Sequence, residues 1–179
     1  MRTLLIGFSL FFLTACGTTS GVEQGGEKVK DLDLTGYDKV VVMDFGDATE
    51  DGSVPAFAGP NFADRIQAAI NKTGAYSEVL RNESDLENAL VISGDITRYK
   101  EGNAALKLII GFGAGSTNFD ADVSLTDTAG AQFGSIAVDK NSWALGGGLA
   151  AAQSIEGFMD GAATKIAKEL ARGKEPTAE

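Results

Sequence analysis

The chain has 179 residues and a formal charge of −10, from 15 Lys and Arg against 25 Asp and Glu, with no histidine and one cysteine. An acidic surface repels phosphate and so argues against nucleic acid as a partner. The missing imidazole removes the commonest metal ligand and the usual acid–base group near neutral pH, and a lone cysteine forms no disulfide within the chain.

Met1-Arg2 is a short basic head. An apolar run from Leu4 to Leu13 follows, and then Leu13-Thr14-Ala15-Cys16. The run is too short for a permanent span, which needs about 20 residues. A basic head, a short apolar stretch and small residues at the cleavage point are the parts of a signal peptide. The lone cysteine just after that point makes Leu13, Thr14 and Ala15 a lipobox. Residues 1–15 are expected to be removed, leaving Cys16 lipidated as the first mature residue. Two or more acyl chains anchor a protein stably where one binds reversibly. Gly17, rather than Asp, is similar to the lipoprotein sorting signal for the outer membrane, with the domain facing the periplasm.

Residues 16–30 are polar and glycine-rich and read as a flexible tether, with ordered structure beginning near Val29 or Leu32. A single domain is expected over 31–173 and a polar tail over 174–179. Within the domain, Val40-Val41-Val42-Met43 is a continuous apolar run, as in a central strand buried on both faces. Phe62, Ile66, Ala69 and Ile70 recur at helical spacing between Gly59-Pro60 and Gly74, the usual helix punctuation. Tyr76–Leu80 reads as a short strand, and Asn82 as the cap of one helical turn through Leu86 and Ala89.

Strands are expected over Leu90–Tyr99, over Leu106–Phe112 with its apolar side against the helices, and over Phe119–Thr126. The return strand over Phe133–Val138 slips in phase, which predicts a bulge near Gly134. Ile155, Phe158, Met159, Ala162, Ala163, Ile166 and Leu170 then form one helical stripe ending at Gly173. The fold class implied is α/β, two-layered: a mixed, mainly antiparallel sheet with two helices packed on one face.

The residues that invite chemistry are few. Gly111-Phe112-Gly113-Ala114-Gly115-Ser116 has neither the spacing of a dinucleotide loop nor the lysine of a P-loop, and a strand follows it, so no nucleotide is expected. Asp47-x-Thr49-x-Asp51-Gly52 resembles part of a calcium loop, but Ala58 stands where the glutamate belongs; a solvated acidic loop is the better reading. Asp120 and Asp122 share a strand face with no substrate-reading group beside them. The serines lack a histidine to activate them. No catalytic residue, metal or cofactor is therefore assigned. Phe112 and Trp143, each beside glycines, are the candidate partner contacts.

Ile92-x-Gly94-x-Ile96-x-x-Tyr99, the Gly102-Asn103-Ala104-Ala105 turn, the Gly111–Ser116 run and the Thr128-Ala129-Gly130 turn resemble a family of bacterial lipoproteins known only as a domain of unknown function. The resemblance covers about residues 37–172. More distantly, the order is similar to the periplasmic domain of the curli-secretion channel lipoprotein. That family inserts membrane-crossing hairpins at two places, where this chain has only short, glycine-rich stretches. The resemblance implies a non-enzymatic envelope module held to the membrane by lipid and binding an envelope protein; the alternative it carries is a channel subunit. Lipidation requires the thiol, so Cys16→Ser should leave unprocessed or soluble protein. Membrane fractionation checks this, and a Ser variant found as mature outer-membrane protein contradicts it.

Overall fold

Val40, Val41 and Val42 are all fully buried, as a run with no polar alternation demands. They lie in a central strand with parallel neighbours on both sides. The computed structural model describes residues 19–25, 27–29, 32–84, 87–102, 116–141 and 154–175. Its elements in chain order are β1 (Glu23–Gln24), β2 (Glu27–Lys28), β3 (Lys39–Val42), β4 (Gly46–Asp47), α1 (Ala58–Thr73), β5 (Glu78–Arg81), β6 (Ala89–Lys100), β7 (Asn118–Asp127), β8 (Gln132–Asn141) and α2 (Ile155–Arg172). One sheet runs β2-β1-β8-β7-β6-β3-β5, with β4 alongside β6. The pairs β3/β5, β3/β6 and β4/β6 are parallel and the rest antiparallel. Both helices pack on one face, so the expected α/β two-layer class holds.

That layering follows from side-chain alternation. Phe119, Ala121, Val123 and Leu125 of β7 point to the helices together with Leu90, Ile92 and Ile96 of β6 and Ile136 and Val138 of β8. Phe62, Ile66 and Ile70 of α1 and Phe158, Met159, Ile166 and Leu170 of α2 complete the core. Gly74 closes α1 at φ 66°, where a side chain would be strained. Ser154 opens α2 by accepting a hydrogen bond from the Gly157 N–H at 3.2 Å. Arg65 of α1 ties the helices together through Asp160, at 2.5 Å. The expected bulge lies where the phase slipped: Leu125 faces Gly134 and Thr126 faces Gln132, leaving Phe133 extra.

Three expectations need correction. Residues 19–29 are not a free tether, because Thr19 bridges Val138, Glu23 pairs with Ser135 and Val22 is buried in the core. Their backbone groups complete the otherwise open edge of β8, and Val22 fills its packing; neither shows in a polar composition. Lys174, assigned to the tail, is fastened to the domain by donating to the Thr35 and Tyr37 carbonyls and to Asp38. Among the described residues 82–84 and 87–89 there is no helical turn: Asn82 and Asn88 have φ of 53° and 55°, and Ala89 already begins β6. β6 pairs directly with β7 out to Lys100 and Asn118. The strand expected over Leu106–Phe112 lies outside the described residues.

Because Val22 is 1% exposed, burying it contributes about 1.5–3 kcal/mol. A chain beginning at Thr19 should therefore be more stable than one beginning at Val29 by at least that amount, measured by urea denaturation. Equal stability would mean that the segment adds nothing to the fold.

Candidate functional site

The face of the sheet away from the helices is built by the alternate residues of β6, β7 and β8. Its rows, read across the strands, are Lys100-Asn118-Asn141, Arg98-Asp120-Asp139, Asp95-Asp122-Ala137 and Ser93-Ser124-Ser135. Thr97 is the extra residue at a register shift between Ile96 and Arg98, and it brings Arg98 level with Asp120. Arg98 Nε lies 2.7 Å from Asp120 Oδ2, and its Nη2 lies 3.5 Å from Asp139 Oδ1. The Lys140 N–H donates to Asp120 Oδ1 at 3.3 Å.

Partial burial pushes the Asp120 carboxyl above its ordinary value of 3.8, while the hydrogen bond and charge of Arg98 pull it back. Its oxygens are committed to Arg98 and Lys140. Asp95 and Asp122 sit directly opposite each other, a like-charge cross-strand pair that disfavours the sheet unless water or a cation screens it.

The acidic loop after β3 is occupied internally. Asp47 Oδ1 accepts from the Thr49 N–H at 2.8 Å and the Thr49 hydroxyl at 2.6 Å, and Oδ2 accepts from the Val54 N–H at 3.2 Å. Those bonds hold its carboxyl below the usual range. Asp51 is lowered likewise by the Ser53 hydroxyl. Asp44 pairs with Arg81, whose Nε donates to the Val42 carbonyl at 2.9 Å and which also reaches Asp64 of α1. Among the described residues, no three acidic side chains converge to hold a metal.

Two arrangements escaped sequence reading. Glu169, on the α2 stripe's flank, is 3% exposed and paired with Lys165 and with Arg172 at 2.6 Å. Phe57, just before α1, is 60% exposed and is the large exposed hydrophobic among the described residues. Lys165 four residues before Glu169 and Arg172 three after it hint at the first; a lone aromatic in a loop gives no signal for the second. Leu13, Thr14, Ala15, Cys16, Phe112 and Trp143 lie outside the described residues, as do residues 111–115 of the glycine run. No helix among the described residues is long and apolar enough to cross a membrane, which says nothing of a β-barrel.

Residues 27–146, more than half of the chain, match the family model described as a domain of unknown function, DUF4410. The chain belongs to this family. The match begins at β2, ten residues before the resemblance seen in the sequence. No curated protein matches the chain. Among solved structures the chain is similar to the PelC dodecamer from Paraburkholderia phytofirmans, at 18% identity and TM-score 0.55, covering 83% of this chain and 98% of that one. A variant PelC dodecamer from the same organism, in another crystal form, gives 18% identity and TM-score 0.54, with 90% and 99% covered. At this identity the likeness is one of fold.

Because the folded-state midpoint of Asp120 lies above its unfolded value, its ionisation costs stability. The contribution is fully present below the unfolded value and is lost as pH rises through the folded one. Arg98→Gln should move the midpoint further upward, since the guanidinium is what lowers it. Carboxyl carbon shifts followed by NMR across the acid range check this; an unchanged or lower midpoint would dissolve the pairing.

Proposed function

We propose that this DUF4410 chain is a lipid-anchored, non-enzymatic module of the bacterial outer membrane that faces the periplasm and docks another envelope protein. The observation that carries the reading is Leu13-Thr14-Ala15-Cys16 behind a short apolar leader, ahead of a domain whose charged groups are spent on structure. Asp47 caps its own loop, Arg81 fastens β3 to α1, and Arg98 bridges β6, β7 and β8. What this leaves for a partner is the polar sheet face and, before α1, the exposed ring of Phe57.

A second reading is self-association, favoured by one observation: the similar PelC structures are dodecamers. The channel subunit suggested by the curli-type resemblance is the third. Two experiments separate the three: crosslinking in intact envelopes with the anchor in place, and conductance of the purified protein. Photo-crosslinkers at Ser124, Ser135 and Phe57 should give a discrete adduct with a different envelope protein. Adducts at multiples of the chain's own mass alone would replace docking by self-assembly. Ion conductance by the purified lipidated protein in planar bilayers would replace it by the channel.

A further inference from the structure

Phe57 breaks two local rules at once. Its ring is 60% exposed, whereas the other large apolar side chains among the described residues are at least partly covered. It also stands at the N-cap of α1, where Ser, Thr, Asn and Asp are preferred because a side-chain oxygen takes a free backbone N–H; the Phe57 side chain takes none. Neither feature helps the fold. Residues that break local rules without gain to the fold are the ones expected to act on something outside it.

The backbone that carries the ring is fixed on both sides. Before it, the Ala48 N–H donates to the Ile96 carbonyl at 3.0 Å, Asp47 accepts from the N–H groups of Thr49 and Val54, and the Ser53 N–H donates to Thr49 Oγ1 at 3.0 Å. After it, the Asn61 N–H donates to the Phe57 carbonyl at 3.0 Å, and Gly59 is seated on the Phe45 backbone. The Ala58 N–H closes a turn across the ring's own residue by donating to the Pro55 carbonyl at 2.8 Å. Aromatic residues are enriched at the core of protein interfaces, and one presented on an ordered loop has little entropy left to lose on binding.

Charge selects the partner. Val54, Pro55 and Ala56 lead into Phe57, and between Asp44 and Asp64 the chain has no lysine or arginine. Arg81 pairs with Asp44 and Asp64, which leaves Asp47, Glu50 and Asp51 exposed on the same loop. Hydrogen bonds from Thr49 and Ser53 hold the Asp47 and Asp51 carboxyls below their usual range, so both are ionised at neutral pH. These charges repel anionic headgroups, and a second copy of the chain, at −10, brings the same sign. A cationic protein surface is attracted.

We infer that Phe57 is an anchor that enters an apolar pocket rimmed by lysine or arginine on another envelope protein, with the carboxylates of Asp47, Glu50 and Asp51 meeting that rim. The inference rests on the docking function proposed above and assigns it to the loop before α1.

The test uses the full chain in intact envelopes, with a photo-crosslinker at exposed Ala56 and, in separate samples, at Ser124 and Ser135. The Ala56 adduct is expected to form with a different protein, and its crosslinked peptide, mapped by mass spectrometry, should carry or adjoin Lys or Arg. Phe57→Ser and Glu50→Lys should each lower the yield severalfold, while Phe57→Leu should retain most of it. Raising the salt should weaken the adduct, because exposed charges are screened. Phe57→Ser should leave the thermal midpoint of the purified chain unchanged or raised, since serine can cap the helix. A midpoint lowered by Phe57→Ser assigns the ring to the fold and overturns the inference. An Ala56 adduct that survives Phe57→Ser, or one formed only with lipid or with the chain itself, overturns it too. Adducts with another protein at Ser124 or Ser135 and none at Ala56 overturn it while leaving docking intact. No adduct with another protein at any of the three positions takes both readings down.

Discussion

The fold depends on how closely three backbones crowd around Phe45. A Cβ on Gly59, in the first turn of α1, would lie 2.0 Å from the Phe45 carbonyl oxygen. One on Gly94 of β6 would lie 2.9 Å from Phe45 Cε1 and 2.0 Å from the Asp122 carbonyl oxygen. Neither position admits any side chain without displacing backbone. The Phe45 ring packs edge-on against Phe62 at 4.8 Å, and Phe62 against Phe119 at 4.9 Å, so the wedge continues from the end of β3 through α1 to β7. The helix is thereby set down on the sheet at one height, and Arg81 fixes the same junction from the polar side through Val42 and Asp64.

With one face of the sheet consumed in this way, the other must be compatible with water by its own side chains. Along β7 that is simple alternation, and across the strands it is charge arrangement. Arg98 stands between Asp120 and Asp139 and offsets part of their repulsion, while Asp95 and Asp122 face each other with no ion pair to either among the described residues. Exposed ion pairs of this kind contribute little to stability, typically under 1 kcal/mol. Their value is in shaping a charged, hydrated surface that does not stick to itself, which an open sheet face needs whether or not a partner covers it.

Sequence periodicity made most of the core legible, because the α2 stripe and the β7 alternation each repeat often enough to fix which side is buried. The bulge at Gly134 was legible as well, since a slip in phase is itself a pattern. What escaped has no period. Val22 is one apolar residue in a glycine-rich polar stretch, and its burial comes from tertiary pairing with β8. Asn82 has the chemistry of a cap and uses it, but its side chain accepts from the Asp44 N–H across the strand ends at 2.9 Å instead of starting a helix. The Arg98 bridge depends on a one-residue register shift at Thr97 that no local spacing reveals. The residues on which the functional reading turns, Cys16 above all, were legible as sequence motifs and owe nothing to the fold.

The N-terminal segment joins these two kinds of information. A bare edge on β8 would present unpaired backbone groups to other chains, and residues 19–24 remove that hazard by pairing with it. A strand recruited for that purpose is also a poor tether, because each residue bound to the sheet is withdrawn from the flexible length. A loose linker lets a domain sample many orientations, and restricting it costs entropy that any partner must offset on binding. A segment already ordered along β8 has met that cost during folding, through Val22 and the backbone bonds of Ser20 and Ala137. The same pairing that protects the sheet edge therefore also fixes residues 19–24 against the domain.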